Sequence, residues 1–253
     1  MARRATIFSR YNNPNTLRIA GAYEFYQRDP VHAWDPQRLK TLLRGYQRLD
    51  YHLGVLGPSE TDAMSLLAAM QPNTWFLVDS QPRTRFLPTP KGLVAAVIFP
   101  ALDKTADPSF ESQVNQLVAT LTGLRQSHPK ALIVGISSWG RQAERQFMDK
   151  HEGVCDILLG SGPGSGLTPA LSAHGKTLWS RAFTKGRTVN RVIIKEFPSG
   201  KSFHWQTGRN IAVKLMVLDE KIQDNPAMNA LLAPLDTPAN PSKKGGNTSS
   251  CGQ

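Results

Sequence analysis

The strongest constraint on the fold is an alternation of helical segments with short, continuous apolar runs in the middle of the chain. Ala131 to Ile136 and Cys155 to Leu159 are such runs, and the helical segment Arg141 to His151 separates them. Runs of this kind are typical of parallel strands that are buried on both faces, because helices cover both sides of the sheet. The alternation therefore predicts an α/β fold.

Further elements are marked by capping residues and by proline. Asp35 and Pro36 supply an N-cap and a first helical residue, and leucines follow them at helical spacing. The other predicted elements before Ala131 are strands at His52 to Leu56 and Thr74 to Val78, a helix that starts at Ser59 and stops before Pro72, a hairpin from Arg85 to Phe99, and a long helix that starts at Asp107.

The pattern becomes strand-rich after Gly160. Predicted strands there are Thr177 to Phe183, Thr188 to Phe197, Ser202 to Gln206 and Ile211 to Val217, and a short helix covers Pro226 to Leu232. Helices followed by a strand-rich half predict a layered α/β/β/α sandwich, with two sheets back to back and helices outside. We expect an N-terminal extension over residues 1–16, one domain over 17–235 and a disordered tail over 236–253.

The chain is basic, with 30 Lys and Arg against 19 Asp and Glu, which gives a net charge of +11. This charge favours an anionic ligand, but it is spread along the sequence without a block of like charges, so we expect no specific nucleic-acid binding. No apolar run reaches the roughly 18 residues that a membrane helix needs, and we expect no membrane span. The first ten residues are basic but lack the apolar stretch of a signal peptide.

The two cysteines exclude a disulfide framework. Cys155 begins an apolar strand and is predicted to lie in the core. Cys251 lies in the tail and is a redox candidate only if a partner, a cysteine or a selenocysteine, follows Gln253. This chain is in that sense a selenoprotein candidate, and its partner would then be a redox protein.

Common catalytic motifs are missing. The sequence has no H-E-x-x-H, no C-x-x-C pair and no phosphate-binding G-x-x-x-x-G-K-[ST] loop. Gly135 to Gly140 has the wrong spacing for the turn that carries a nucleophilic serine. The glycine-rich loop Gly160 to Gly166 follows a buried strand, but Pro163 within it favours a flexible connection over an anion-binding nest.

Several segments in order resemble one enzyme family. Leu49 to Asp62 resembles the segment that ends in Gly-Asn-His-Glu-Phe-Asp in the bacterial 5'-nucleotidase branch of the calcineurin-like metallophosphoesterases. Leu132 to Gly140 is similar to the strand and turn with Ser-His-x-Gly, and Asp156 to Gly164 is similar to the strand end with Gly-Gly-His-x-His. Later similarities cover the next hairpin (Gly175 to Trp179 and Lys185 to Val192) and the helix that leaves the domain (Asp224 to Ala233). The resemblance implies the same layered sandwich.

The positions that correspond to the family's metal ligands hold other residues. They are Ala22 in place of a bridging Asp, Pro58 and Ser59 in place of Asn and His, Ser138 in place of His, and Gly162 and Gly164 in place of two His. Serine hydroxyls and glycine backbone cannot supply the anionic and imidazole donors that a divalent cation needs. We therefore expect no cofactor and no catalytic residue at these positions.

The resemblance implies a degenerate 5'-nucleotidase-like domain that acts as a non-hydrolytic binding or structural module, with a redox segment beyond Gln253 as an open extension. The alternative is an active phosphohydrolase of nucleotidase type, which would bind a divalent metal pair with residues such as Asp50, His52, Glu60 and Asp62. The family is mostly exported, so the resemblance implies a periplasmic protein if a leader precedes Met1, and a cytoplasmic one otherwise.

Overall fold

The computed structural model describes residues 1–25, 36–60, 74–102, 108–183, 186–200 and 202–236. Predictions that concern Asp35, Asp62, most of the helix expected after Ser59, Cys251 and the tail lie outside these residues. The helices of the described ranges are α1 (Ala2–Arg10), α2 (Pro36–Arg48), α3 (Pro108–Ser127), α4 (Arg141–Lys150) and α5 (Pro226–Asp236). None of them is long and apolar enough to cross a bilayer.

The largest sheet has six strands in the order β4-β5-β6-β7-β9-β8. These strands are β4 (Arg83–Thr89), β5 (Gly92–Ile98), β6 (Leu132–Ser137), β7 (Ile157–Gly160), β8 (Leu167–Leu171) and β9 (Leu178–Arg181). The four central strands run parallel, and the two edge strands, β4 and β8, run antiparallel to their neighbours. The carboxyl ends of β6 and β7 therefore meet at one edge of the sheet.

A second, parallel sheet has three strands in the order β1-β2-β3. They are β1 (Ile19–Ala20), β2 (Leu53–Leu56) and β3 (Trp75–Leu77). The remaining strands, β10 (Thr188–Ile194) and β11 (Ile211–Val217), form an antiparallel pair.

Three apolar clusters define the layers. Leu117 of α3 and Phe147 of α4 pack on one face of the six-stranded sheet, and Leu43 of α2 and Met228 of α5 pack on the three-stranded sheet. Between the sheets lies a third cluster, which joins Val55 and other residues of β2 to the inner faces of β5, β6 and β11. The layers follow the order helix, sheet, sheet, helix, so the predicted α/β/β/α sandwich is confirmed. Cys155 is 1% exposed and lies in the cluster of Leu117 and Phe147, so its predicted core position is confirmed.

The structure departs from the sequence expectation in two segments. Ser202 to Gln206 was predicted as a strand, but it is irregular in the structure. The Asn210 side chain bonds the backbone of Gln206 (2.7 Å) and His204 (3.0 Å), so these groups are satisfied without a neighbouring strand. The expectation also missed β8, an edge strand that tolerates a proline.

Residues 1–16, predicted as an extension, contain α1. Ala2 and Ala5 of this helix are buried in the cluster formed with α2 and α5. The domain boundary at residue 17 stays a prediction.

Candidate functional site

The loops that follow β1, β6 and β7 meet at one place, which we call the strand-end cluster. It is formed by Gly21 to Tyr23, Ser137 and Ser138, Ser161 to Gly164, and the loop Gly57 to Glu60 after β2. The backbone N–H of Ala22 donates to Ser161 Oγ at 3.1 Å, and that hydroxyl donates to the carbonyl of Ser137 at 2.6 Å. The structure therefore brings Ala22, Ser138 and Gly162 together. Their correspondence to metal-ligand positions stays a prediction.

Glu60 ties the loops after β1 and β2 to each other. Its carboxylate accepts hydrogen bonds from the backbone N–H groups of Tyr23 (2.7 Å), Phe25 (2.6 Å) and Gly57 (2.7 Å). The residue is only 2% exposed. Burial raises the pKa of Glu60, and the three amide donors oppose that rise. This carboxylate is occupied by the backbone, whereas the sequence alternative uses it for an acid or metal cluster.

Pro58 and Ser59, which the resemblance sets in place of an Asn and a His ligand, lie in a short 3-10 turn and are exposed. They follow Gly57 and form the solvent-exposed side of the strand-end cluster.

The ring of Tyr23 lies between Gly57 and Gly162. A Cβ atom placed on Gly57 would come within 2.9 Å of the Tyr23 ring, and one on Gly162 would come within 3.1 Å of it. Tyr23 itself has a φ of 71°, a left-handed conformation that costs a non-glycine residue about 1 kcal/mol or more. A strained aromatic residue thus fills the middle of the strand-end cluster.

The resemblance sets Gly162 and Gly164 in place of two histidine ligands, and the backbone at both positions excludes such a side chain. Gly162 has a φ of 84°, and a Cβ there would collide with the carbonyl oxygen of Ser138. Gly164 has a φ of 99°, and its Cβ would lie 2.8 Å from Cβ of Arg141. Replacement by histidine at either position would require the loop to move.

A buried ion pair lies beneath the loop after β7. Arg181 Nη1 and Glu144 Oε2 are 2.5 Å apart, and the two side chains are 3% and 0% exposed. Trp179 Nε1 also donates to this carboxylate oxygen at 2.9 Å. Burial raises the pKa of Glu144, while the Arg181 guanidinium and the Trp179 indole N–H oppose the rise.

The same guanidinium holds the loop itself. Arg181 donates to the carbonyls of Ser161 (3.0 Å), Gly162 (3.0 Å) and Pro163 (3.1 Å). The backbone N–H groups of Gly140 and Arg141, where α4 begins, bond the carbonyls of Ser161 and Pro163. The loop was expected to be a flexible connection, yet it is fixed on both sides. It also turns carbonyl oxygens, and not the N–H groups of an anion nest, toward its neighbours.

The residues of the alternative site do not come together. Asp50 and His52 precede β2, whereas Glu60 follows it, and the four residues of this strand separate the two ends by about 13 Å. His52 Nδ1 accepts the backbone N–H of Arg18 at 3.1 Å, and Asp50 pairs with the Arg18 side chain at 3.3 Å. This pair belongs to a surface contact at the opposite edge of the sheet, and Asp62 lies outside the described residues.

The donor set at the strand-end cluster does not fit the divalent metal pair that the fold implies. Two-metal sites hold cations about 3.5 to 4 Å apart with carboxylates and imidazoles. Here the side chain of Ala22 is a methyl group, that of Ser138 is a neutral hydroxyl, and Gly162 has only backbone atoms. In the described ranges, no three His, Cys, Asp or Glu side chains form a group that could hold a metal ion.

Sequence reasoning missed Tyr23, Glu144, Ser161 and Arg181 as members of this region. A signal existed for two of them. Glu144 follows Ala143 on the apolar face of α4, and Arg181 ends a short strand whose four residues are all buried. A charged residue on an apolar face usually has a buried partner of opposite charge, but the sequence does not identify that partner. Tyr23 and Ser161 carry no comparable signal.

No family model and no curated protein matches the chain. Solved structures do match. The calcineurin-like phosphoesterase YfkN from Bacillus subtilis is similar at 12% identity and a TM-score of 0.61, over 92% of this chain and 87% of that chain. The NAD nucleotidase NadN from Haemophilus influenzae is similar at 11% identity and a TM-score of 0.57, over 92% of this chain and 54% of that chain. A hypothetical protein from Thermus thermophilus is similar at 15% identity and a TM-score of 0.50, over 85% of this chain and 91% of that chain.

At such identities the likeness shows the fold alone. The chain has the metallophosphoesterase fold. It spans about half the length of the NAD nucleotidase.

Proposed function

We propose that this chain is a degenerate phosphoesterase domain, of the bacterial 5'-nucleotidase type, that works as a non-hydrolytic binding or structural module. The fold of the calcineurin-like phosphoesterases supports the framework of this proposal. The chemistry of the strand-end cluster supports the loss of hydrolysis.

The observation that carries the proposal is the conformation of Gly162. The resemblance implies a histidine ligand at this position, yet its φ of 84° and its contact with the Ser138 carbonyl leave no space for any side chain. The absence of a histidine ligand therefore follows from the conformation of the backbone, and restoring the side chain alone would not restore the ligand.

Neighbouring groups support the same conclusion. The Glu60 carboxylate is engaged by three backbone donors, and the Glu144 carboxylate is paired with Arg181. A cation would have to displace these partners, and the freed donors would then be left buried without acceptors, at about 1–3 kcal/mol each.

The test measures metal content and turnover on the full chain. The protein is purified without chelator, dialysed against Mn²⁺ or Zn²⁺ and then against buffer, and its metal content is measured by mass spectrometry. Hydrolysis of p-nitrophenyl phosphate and of AMP is followed in the presence of each metal. We expect substoichiometric metal and no turnover above the buffer rate.

Stoichiometric metal together with turnover would contradict the proposal and support the alternative, an active phosphohydrolase. Glu60→Ala should then abolish the activity, and the double variant Asp50→Ala/His52→Ala would show whether the surface pair takes part. Ser59→Ala serves as the matched control for a change at an exposed position of the same loop.

A further inference from the structure

A cleft lies at the edge of the six-stranded sheet opposite to the strand-end cluster. It is bordered by the turn between β4 and β5, the loop that precedes β6 and the segment that follows β10. Its volume is about 540 Å³. This falls within the range of about 300–1,000 Å³ that is typical of small-molecule sites.

The floor and walls of the cleft are apolar and aromatic. Leu93, Phe197 and Pro198 contribute apolar surface. The Phe197 ring lies directly over Gly92, where a Cβ would come within 3.0 Å of the ring, and Gly92 has a φ of 144°. Phe86, which is 47% exposed, adds a ring beside the cleft, because its centroid lies 5.0 Å from that of His128 in the lining.

The charge of the cleft has one sign. Lys91 and Lys130 are exposed and stand on different walls. Among the described residues that line the cleft, none is acidic. Two cations next to an apolar surface complement a ligand that joins an anionic group to an apolar body.

The wall that carries Lys130 is held from beneath. Arg125 donates to the carbonyl of Ala131 at 2.9 Å and to that of Pro129 at 3.5 Å. Its guanidinium is anchored by Asp156 at 2.5 Å, and this carboxylate also accepts the N–H of Ile133. The loop from His128 to Ala131 therefore has a defined position before any ligand arrives, which lowers the entropic cost of binding.

We propose that this cleft is a binding site for a small aromatic anion, whose ring packs between Phe197 and His128 and whose anionic group is held by Lys91 and Lys130. The site is independent of the strand-end cluster and needs no metal.

The experiment uses three probes on the isotopically labelled full chain. These are 2-naphthoate (ring and charge), 2-naphthylmethanol (ring alone) and sulfate (charge alone). Binding is followed by amide chemical shifts. We expect saturable shifts with 2-naphthoate at Gly92, Leu93 and Lys130, weaker binding of the alcohol and no saturation with sulfate.

Two double variants, each of which removes two lysines, have the same net charge and are compared. Lys91→Ala/Lys130→Ala should weaken naphthoate binding by about tenfold, because both cations that attract the carboxylate are removed. Lys150→Ala/Lys214→Ala removes two exposed lysines elsewhere and should leave the affinity unchanged. Ser199→Trp should fill the cleft and abolish binding while the remaining amide shifts stay dispersed.

Three results would overturn the proposal. They are naphthoate shifts that map to another surface, equal affinity for the neutral alcohol, and equal weakening by both lysine pairs, which would mean that only the overall positive charge attracts the probe.

Discussion

Two buried arginines, Arg181 and Arg4, join loops and helices to the two sheets, but they do so in different surroundings. Arg181 and its partner Glu144 are 3% and 0% exposed, and the guanidinium also binds three loop carbonyls. Arg4 on α1 is 8% exposed, its partner Glu24 is 22% exposed, and their ion pair measures 2.8 Å.

The partners of Arg4 are mainly side chains. Arg4 donates to the Tyr51 hydroxyl at 2.9 Å, and the Tyr46 hydroxyl donates to Glu24 at 2.5 Å. Burial raises the pKa of Tyr46, with the Glu24 charge acting in the same direction, so this hydroxyl stays a donor. Arg4 therefore belongs to a network of side chains that reaches solvent at Glu24. Arg181 is enclosed by protein and holds the backbone of the loop after β7. The loop after β7 is therefore held by a cation that is enclosed by protein, and the loop after β1 is held by one whose partner meets solvent.

The largest effect is expected at Arg181. Arg181→Met leaves the Glu144 carboxylate buried without its counter-charge, and breaking a buried pair in this way costs about 3–5 kcal/mol of unfolding free energy. Urea denaturation measures the loss. Adding Glu144→Gln should recover part of it, since the unpaired charge is gone. Arg145→Met is the control, because Arg145 is 68% exposed and should change stability by less than about 1 kcal/mol.

A smaller loss is expected at Arg4. Arg4→Met should cost about 1–3 kcal/mol, because Glu24 can turn toward water while Tyr51 loses its donor. Arg3→Met, which removes a neighbouring arginine whose side chain is 37% exposed and pairs with Asp224, is the matched control. A loss at Arg4 as large as the loss at Arg181 would show that exposure of the partner does not govern these two sites.

Glu60→Gln tests whether the strand-end cluster also needs an anion. A glutamine keeps the size of the side chain but offers one acceptor oxygen to three backbone donors, so about 1–2 kcal/mol should be lost. Thermal unfolding and the amide signals of Tyr23 and Gly57 would report the change. Glu220→Gln, at an exposed position, should be neutral. An unchanged melting temperature for Glu60→Gln would contradict this role.

A pH-dependent effect is expected at a third pair, Glu152 with His174, where the histidine side chain is 78% exposed and solvent screens the pair. Burial alone would raise the pKa of Glu152, but hydrogen bonds from Ser172, His174 and Lys176 lower it from 4.5 to about 2. Because the folded pKa is the lower one, Glu152 stabilises the protein above about pH 4.5, and this contribution is lost as the pH falls toward 2. Unfolding curves of the wild type and Glu152→Gln should therefore differ at about pH 7 and converge near pH 2. A constant difference across that range would assign the effect to packing.

The fold could be predicted because its signals are local. Pro36 marks the start of α2, and the continuous apolar runs before Ser137 and Gly160 mark buried parallel strands. The strand order and the pairing of β8 with β9 depend on contacts between distant segments, which periodicity does not report.

The candidate site also has a part that the sequence could predict and a part that it could not. The resemblance predicts a shared site for Ala22, Ser138 and Gly162, and the structure shows only that their loops lie together. It could not show that Tyr23 fills the space between them or that Arg181 holds the loop from below. These contacts arise from tertiary structure, because residues 23, 162 and 181 are far apart in the sequence and their pattern alone is ordinary.

The glycine conformations in the loop after β7 set a practical limit for protein engineering. Imidazoles cannot be installed at positions 162 and 164 by exchanging codons alone, because the main chain there follows a course that only glycine accepts at low cost. The design of a metalloenzyme on this scaffold must first change the backbone conformation of the segment between β7 and β8. That redesign has to remove the Ser138 obstruction and the Tyr23 ring before a single ligand is added.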